Sequence, residues 1–443
     1  MQNVKLINIC FGLLTFGVHL LIIEKTEDKR GDLMQGPLSG IKVVEMASFV
    51  AAPVTARLMA DMGAEVVKVE APWGDDWRRT GISYVPSRFS QDENPVFAIY
   101  NTGKKHVSLN LKAPEGMEAF HRLLSEADVF ITNTRPDSLK RLNLSYDALK
   151  ERYPRLIYAI VLGYGEKGPD AAKPAFDTTA FWTRTGFLRD LAVDSDDYYP
   201  INPPSGVGDT TTGYLLLAEI SAALYNRERT GKGDCVRSTL YRNGIFCMGT
   251  MEIITQKPFG TVYPRKRSIS GAPGGSYCCA DGEWIFMATG DPVKTGAAIH
   301  RIIGRPDLTD SPRYNGAERK KNFSEYYGII RDAFLTKTSD EWIRSAEAED
   351  IPIVRMNHFS DVSQDPQAWA NGYVEHVVFP NGNTDVMPSS PIEMDSANTP
   401  PTVPPPAVGT HTSEVLRSLG YTESQIRQML ESGAAVDSKE ESR

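Results

Sequence analysis

The chain has 443 residues, of which 41% are hydrophobic and 23% charged, and its formal net charge is −8. That length exceeds what one hydrophobic core supports and implies two domains, while the acidic balance argues against a nucleic-acid-binding protein, which carries a basic face. The five cysteines, Cys10, Cys235, Cys247, Cys278 and Cys279, lack the paired spacing of a metal site, and their odd number suits free thiols in a cytoplasmic protein. Adjacent Cys278 and Cys279 read as strand residues facing opposite ways.

Leu6 to Ile23 is an apolar run with charged flanks, the pattern of a membrane anchor or signal sequence. Lys29-Arg30-Gly31-Asp32, however, can be encoded by codons containing a ribosome-binding sequence a few bases before the Met34 codon. Translation is therefore expected to start at Met34, with residues 1–36 a mis-called N-terminal extension and no membrane partner.

From Gly40 strand and helix alternate. Ile41 to Met46 reads as a strand, Pro53 to Met62 as a helix closed by Gly63, and Glu65 to Val69 as a second strand. The alternation continues through strand Val107–Leu109, helix Pro114–Ala127, strand Val129–Ile131 and helix Tyr146–Tyr153, which implies a parallel sheet covered by helices on both faces. Leu156 to Leu162 is a further buried strand.

A Gly- and Pro-punctuated loop follows, then Phe176-Asp177-Thr178-Thr179 and the apolar segment Ala180-Phe181-Trp182. A carboxylate thus leaves the C-terminal end of a strand beside bulky groups that exclude water, the place where open α/β sheets hold ligands. Three readings of this stretch compete. Gly163 to Gly168 matches G-x-G-x-x-G, but Pro169 and Pro174 leave no room for the helix a dinucleotide site needs. Asp177 before two threonines is a helix N-cap by its local pattern. As a shielded carboxylate it is also a candidate covalent nucleophile.

Asp209 is expected to cap an amphipathic helix over Thr210 to Arg229, ended by Gly231 and Gly233 before a strand at Asp234 to Leu240. A glycine-rich loop, Ser268 to Ser276, leads into a hairpin of Tyr277–Ala280 and Glu283–Ala288 turning at Asp281-Gly282. Thr338/Glu341 and Thr422/Gln425 have capping-box spacing, and Pro400 to Pro406 is expected as an extended strap. The arrangement expected is a Rossmann-like doubly wound α/β domain from residues 37–225 and 337–434, a smaller α+β domain from 226–336, and a disordered tail at 435–443.

The segment GYGEKGPD…PAFDTTAFWTRTG resembles CoA-transferase family III, the CaiB/BaiF or formyl-CoA transferase family, and within it the clostridial 2-hydroxyacyl branch. GIKVVEMASFVAAPVTARLMADMGAEVVKVEAPWGD, NTGKKHVSLNLK, GDTTTGYLLLAEISAALYNRERTGKGD and GTHTSEVLRSLGY carry the likeness from Gly40 to Tyr421. The resemblance implies CoA transfer between an acyl-CoA and a carboxylic acid, a 2-hydroxy acid or an aromatic or branched relative, as in amino-acid fermentation. It implies Asp177 as the nucleophile, passing through an aspartyl-acyl anhydride and an aspartyl-CoA thioester.

Gly274 and Gly275 are implied in the loop that folds over the acyl centre, and Phe176, Phe181 and Trp182 in the substrate pocket. Main chain at Phe49, Val50 and Ala51, with Arg78, Arg79, Asn101, Lys104, Lys105 and Arg135, is implied in holding CoA, which enters as a substrate with no permanently bound cofactor. An interlocked homodimer is implied as well. Another family III acid, dicarboxylate or carnitine-like, is the first alternative. A racemase is disfavoured because its His is replaced by Phe176, and the last alternative is an NAD-binding oxidoreductase using Gly163 to Gly168. Thr185-Gly186 stands where the branch has a glycine pair, and Asp190 to Tyr199 is unusually acidic and aromatic, so the acyl end of the pocket departs from the pattern.

Overall fold

Seven strands form the main sheet, the central ones rich in Val, Ile and Phe, and their successive side chains enter opposite cores. A computed structural model describes residues 36–80, 93–191, 203–263, 273–288, 292–397 and 399–438. The strands are β1 (Lys42–Met46), β2 (Glu65–Glu70), β3 (Lys105–Leu109), β4 (Val129–Thr132), β5 (Ile157–Leu162), β6 (Cys235–Thr239) and the short β12 (Ala435–Val436), in the order β12-β3-β2-β1-β4-β5-β6. All pair in parallel except β12. Val43 packs on one face with the helices Ala51–Asp61 and Val207–Thr230, and Val44 on the other with Pro114–Glu126 and Glu423–Glu431. Side chains alternate across a strand, so both faces are apolar and each takes a helical layer.

The fold turns back at β1, which has β2 on one side and β4 on the other. Crossovers therefore leave β1 and β4 in opposite directions, and a crevice opens at their C-terminal ends. Ser48 and Asn133 lock its two walls, the Ser48 amide donating to Asn133 Oδ1 at 3.1 Å and Asn133 Nδ2 donating to the Ser48 carbonyl at 2.6 Å.

A second, antiparallel sheet joins β7 (Gly275–Cys278), β8 (Trp284–Met287) and β9 (Ile353–Arg355) over its own core of Tyr277, Ile299, Tyr326, Phe334 and Trp342. The expected hairpin and both capping boxes are present. This core continues past residue 337 to Ile353, so the helix Ser339–Glu347 packs with the small sheet. A separate hairpin, β10 (Val374–Val378) with β11 (Thr384–Pro388), packs on Ala98 of the helix Pro95–Asn101. The proline strap is tied along its length: Arg57 donates to Thr402, Thr102 to the Val403 carbonyl and Arg78 to the Pro406 carbonyl.

Two expectations are corrected. Asp209 is not the cap of the long helix, which starts at Val207 behind left-handed Gly206 and carries Asp209 in its first turn. The tail expected to be disordered from 435 instead adds an edge strand, Ala435 and Val436 pairing with Leu109 and Ser108. Buried Ala435 and Asp437 account for this, the Asp437 carboxylate accepting from the Ser413 amide. The extension at 1–35, most of the glycine-rich loop (264–272), most of Asp190 to Tyr199 and the last five residues lie outside the described residues.

Candidate active site

The long helix Val207–Thr230 sits against the helix Ala51–Asp61 so closely that a Cβ on Gly213 would lie 2.2 Å from Val54 and 2.7 Å from the Ala51 carbonyl. Thr55 donates to the Gly213 carbonyl at 3.0 Å and ties the two together. This contact sets the N-terminus of the long helix at the mouth of the crevice.

There it meets Asp177. The loop from β5 folds back on itself, Ala175 filling the space a side chain on Gly163 would need. It ends in one wide helical turn, Asp177–Thr183, in which the Arg184 amide reaches back five residues to the Thr179 carbonyl. Such turns occur preferentially at functional sites. The carboxylate of Asp177 is only 4% exposed, and its Oδ2 accepts the Gly206 amide at 2.9 Å. Burial raises its pKa, while backbone bonds from Gly206, Thr178 and Gly208 pull the other way. Asp177 therefore caps the long helix, satisfying amides that have no partner within it.

Asp209 is a second carboxyl at the same place. It is half-buried, and its pKa is pushed up to about 7, first by burial and then by the charge of Asp177. Tyr100 completes the group: its phenol has a side-chain hydrogen bond with Thr210 and feels both carboxyls, and its hydroxyl would lie 3.2 Å from a Cβ on Gly206.

Aromatic side chains wall the group off. Phe176, 54% exposed, meets Phe49 edge-on at 5.5 Å, and Phe49 contacts Trp77 at 5.8 Å. Phe181 and Trp182 are buried and pack with Phe187. The Trp182 indole N–H is buried with no hydrogen-bond partner in the structure. Phe49 has φ of 64°, a strained backbone for a non-glycine residue. Its amide is held at 3.1 Å by Asp75, which is itself clamped to Lys68. The segment Phe49 to Ala51 thus forms a rigid lip at the end of β1.

The expected cations are divided by this geometry. Arg135 is exposed at the end of β4, on the crevice. Arg79 is exposed beside Trp73, donating to its carbonyl and paired with Asp76. Three others do not fit a phosphate-binding role. Arg78 is 1% exposed and spends its guanidinium on Glu70, His106 and the strap, with Phe97 beneath it. Lys104 is buried, its three donors taken by Glu45, Asn101 and the Pro53 carbonyl. Its pKa falls to about 8 through desolvation. Asn101 is buried with it. Lys105 reaches Glu65 at the amino end of β2 and Glu414, beside a cavity at the end of the strands remote from Phe49. The buried charges of NTGKK and WRR thus stabilise the sheet.

Gly274 and Gly275 lead into β7, and Gly275 has φ of 129°. Among the described residues no recorded contact brings them to Asp177. The loop Gly163 to Gly168 is followed by no helix, so the dinucleotide reading fails, and Glu166 is exposed in an ion pair with Arg237. No group of three His, Cys, Asp or Glu among the described residues is placed to hold a metal ion. None of their helices is long and apolar enough to cross a membrane.

The model of "CoA-transferase family III" matches residues 38–412. The chain belongs to CoA-transferase family III. Among similar family members are the (R)-2-hydroxy-4-methylpentanoate CoA-transferase of Clostridioides difficile and the cinnamoyl-CoA:phenyllactate CoA-transferase of Clostridium sporogenes. The first is 40% identical over 397 residues, 89% of this chain and 98% of the relative, and the second 37% identical, covering 88% and 95%. A CaiB/BaiF family protein from Brucella suis has a similar structure, with a TM-score of 0.72 and 26% identity over 87% of this chain and all of that one. The family makes this chain an enzyme, a CoA-transferase, and fits the mixed α/β architecture with its parallel central sheet.

Sequence reasoning set Asp209 aside as a cap and passed over Tyr100. The GD pair heading an amphipathic helix was the available signal for the first. Nothing local marks Tyr100, whose polar neighbours Asp177, Asp209 and Thr210 all lie far along the chain.

Proposed function

We propose that this family III enzyme transfers CoA from an acyl-CoA to a 2-hydroxycarboxylate or a related aromatic or branched acid, with Asp177 as the attacking carboxylate. The activities named for the C. difficile and C. sporogenes relatives support the acid class. One observation carries the assignment: the Asp177 carboxylate is held at the N-terminus of the long helix by the Gly206 amide, at the mouth of the crevice and beside the aromatic wall. Burial raises its pKa, while the backbone amides favour the anion that must attack. Asp209, its pKa pushed up to about 7 first by burial and then by the charge of Asp177, is the second carboxyl of the pair.

In this reading Asp177 attacks the thioester carbonyl, the C–S bond breaks, and CoA leaves as the thiolate from an aspartyl-acyl anhydride. The thiolate attacks the aspartyl carbonyl, releasing the donor acid and leaving an aspartyl-CoA thioester. The acceptor carboxylate then displaces CoA to form a new anhydride, and the thiolate takes the new acyl group and frees Asp177. The anhydrides need a dry site, which Phe49, Phe176, Phe181 and Trp182 provide around the carboxyls. The crevice beyond Phe49 to Ala51, with Arg135 and Arg79 at its rim, is the proposed CoA site, with CoA a substrate and no permanent cofactor. Gly274 and Gly275 are proposed to close over the acyl centre.

The same reading extends to a homodimer in the cytoplasm, its two-domain layout being a doubly wound unit and the β7–β9 unit. Phe246, Phe259 and Phe359 are 87%, 61% and 92% exposed, large apolar groups of the kind a subunit interface covers. Incubation with acyl-CoA followed by hydroxylamine or borohydride, then peptide mapping, tests the chemistry. Modification at Asp177 is expected; an adduct on Asp209 would overturn the assignment, and an unmodified, active enzyme would refute the covalent route. An acceptor screen of 2-hydroxy acids against dicarboxylates tests the acid class, and preference for glutarate would overturn it.

A further inference from the structure

Phe49 is held in a conformation that phenylalanine disfavours. Its φ of 64° lies in the left-handed region, where a Cβ crowds the backbone and only glycine is unstrained. Such a residue persists where its surroundings over-determine it, and here they do so through one buried carboxylate. Asp75 Oδ1 accepts the Phe49 amide at 3.1 Å and the Trp77 amide at 2.9 Å. Its Oδ2 faces the buried Lys68 ammonium at 2.9 Å, and Lys68 in turn pairs with Glu45 at 2.7 Å and donates to the Ala47 carbonyl at 2.9 Å. One buried ion pair therefore grips the chain at both Ala47 and Phe49, where β1 gives way to the crevice.

What the grip fixes is the position of a ring. With both amides on one oxygen, Phe49 and Trp77 meet at 5.8 Å, and the Trp77 indole is anchored by donating to the Val96 carbonyl at 3.0 Å. On its other side Phe49 meets Phe176 edge-on at 5.5 Å, and Phe176 directly precedes Asp177 in the chain. A relaxed backbone at position 49 would carry the ring in another direction, away from the neighbour of the nucleophile.

We propose that Phe49 is a specificity-determining residue that admits a carboxylate and not water to the acyl-enzyme, and that Asp75 is the positioning residue that holds its ring in place. In the reaction that is suppressed, a water oxygen bonds to the acyl carbon of the anhydride. The bond from that carbon to the Asp177 oxygen breaks, Asp177 leaves as a carboxylate, and a proton of the water passes to solvent. With the CoA thiolate released as well, acyl-CoA and water become acid and CoA. The inference rests on the aspartyl anhydride proposed above and adds the residues that decide between transfer and hydrolysis.

The test is the ratio of hydrolysis to transfer with phenyllactyl-CoA as donor and excess 2-hydroxy-3-methylbutanoate as acceptor. Chromatography measures the new acyl-CoA and net free thiol measures hydrolysis. Phe49→Gly suits the left-handed backbone, so it is expected to fold, and loss of the ring should raise the ratio by about 10-fold or more. Asp75→Ala keeps the ring and frees it, so the ratio should rise as well, with no further rise when it is combined with Phe49→Gly, because the two act as a unit. Asp75→Asn retains an oxygen that accepts both amides and should keep the ratio close to that of the wild type. A wild-type ratio in folded Phe49→Gly would overturn the proposal, and that variant decides the matter even if Asp75→Ala does not fold. Full additivity of the Phe49 and Asp75 effects, or an equal rise in Asp75→Asn, would overturn the positioning role. Hydroxylamine trapping on the wild type separates this inference from the reading beneath it. Absence of an adduct at Asp177 would sink the anhydride, whereas an adduct there with an unchanged ratio in Phe49→Gly would sink the role of Phe49 alone.

Discussion

Replacing Asp177 by Asn separates the two carboxyls most sharply. Asn caps helices about as well as Asp, so the bond from the Gly206 amide survives, and only the charge beside the helix N-terminus is lost. That costs about 1–2 kcal/mol of stability, against about 2–4 kcal/mol for Asp177→Ala, which also strands buried amides. The charge matters more for reactivity. Asp209 is raised from 3.8 to about 7 by burial first and Asp177 second, so neutralising Asp177 lowers it by less than half of that interval. Asp177→Asn keeps the cap and loses the attacking oxygen anion, so turnover should fall on the order of 10⁴-fold or more, as when other covalent nucleophiles are removed. Asp209→Asn should be tolerated far better. For stability, the raised Asp209 carboxyl favours the folded state below its ordinary 3.8, and that contribution is withdrawn as pH passes through about 7. The assay is the pH dependence of kcat/KM for acyl-CoA in the three proteins. A folded Asp177→Asn enzyme with near-normal turnover beside an inactive Asp209→Asn would refute the assignment.

Adjacent arginines should respond differently. Arg78→Ala leaves Glu70 as an uncompensated buried charge and is expected to cost about 3–5 kcal/mol in chemical denaturation, whereas Arg79→Ala should leave stability unchanged and raise the KM for acyl-CoA. Arg135→Gln should raise that KM by about 10- to 100-fold, the loss of one charge-assisted bond, with kcat retained and the effect shrinking at high salt. Gly213→Ala forces a Cβ to within 2.2 Å of Val54; overpacking of about 1–3 kcal/mol is expected, and separation of the two helices should weaken CoA binding by calorimetry.

The sequence by itself determined the six parallel strands, because most are short runs rich in β-branched residues bounded by turn residues and helices between them carry their own stops, as at Met62-Gly63 and Gly231; the edge strand Ala435–Val436 it did not reveal. It also determined the capping boxes and the hairpin at Asp281-Gly282, whose rules act over a few residues. The family was legible too, since its motifs are contiguous strings. What only tertiary structure decided is the assignment of charged residues. Lys104 and Arg78 look like phosphate ligands in NTGKK and WRR, yet Glu45 and Glu70, on neighbouring strands, draw them inside. Burial and ion pairing depend on which strands lie side by side, and no local pattern encodes that. Asp177 and Asp209 are 32 positions apart and both fit the cap pattern in sequence. Only the packing of the long helix on Ala51–Asp61 brings them to one N-terminus, where the first takes the free amides, and the second, left without them and facing a like charge, is the more basic of the two.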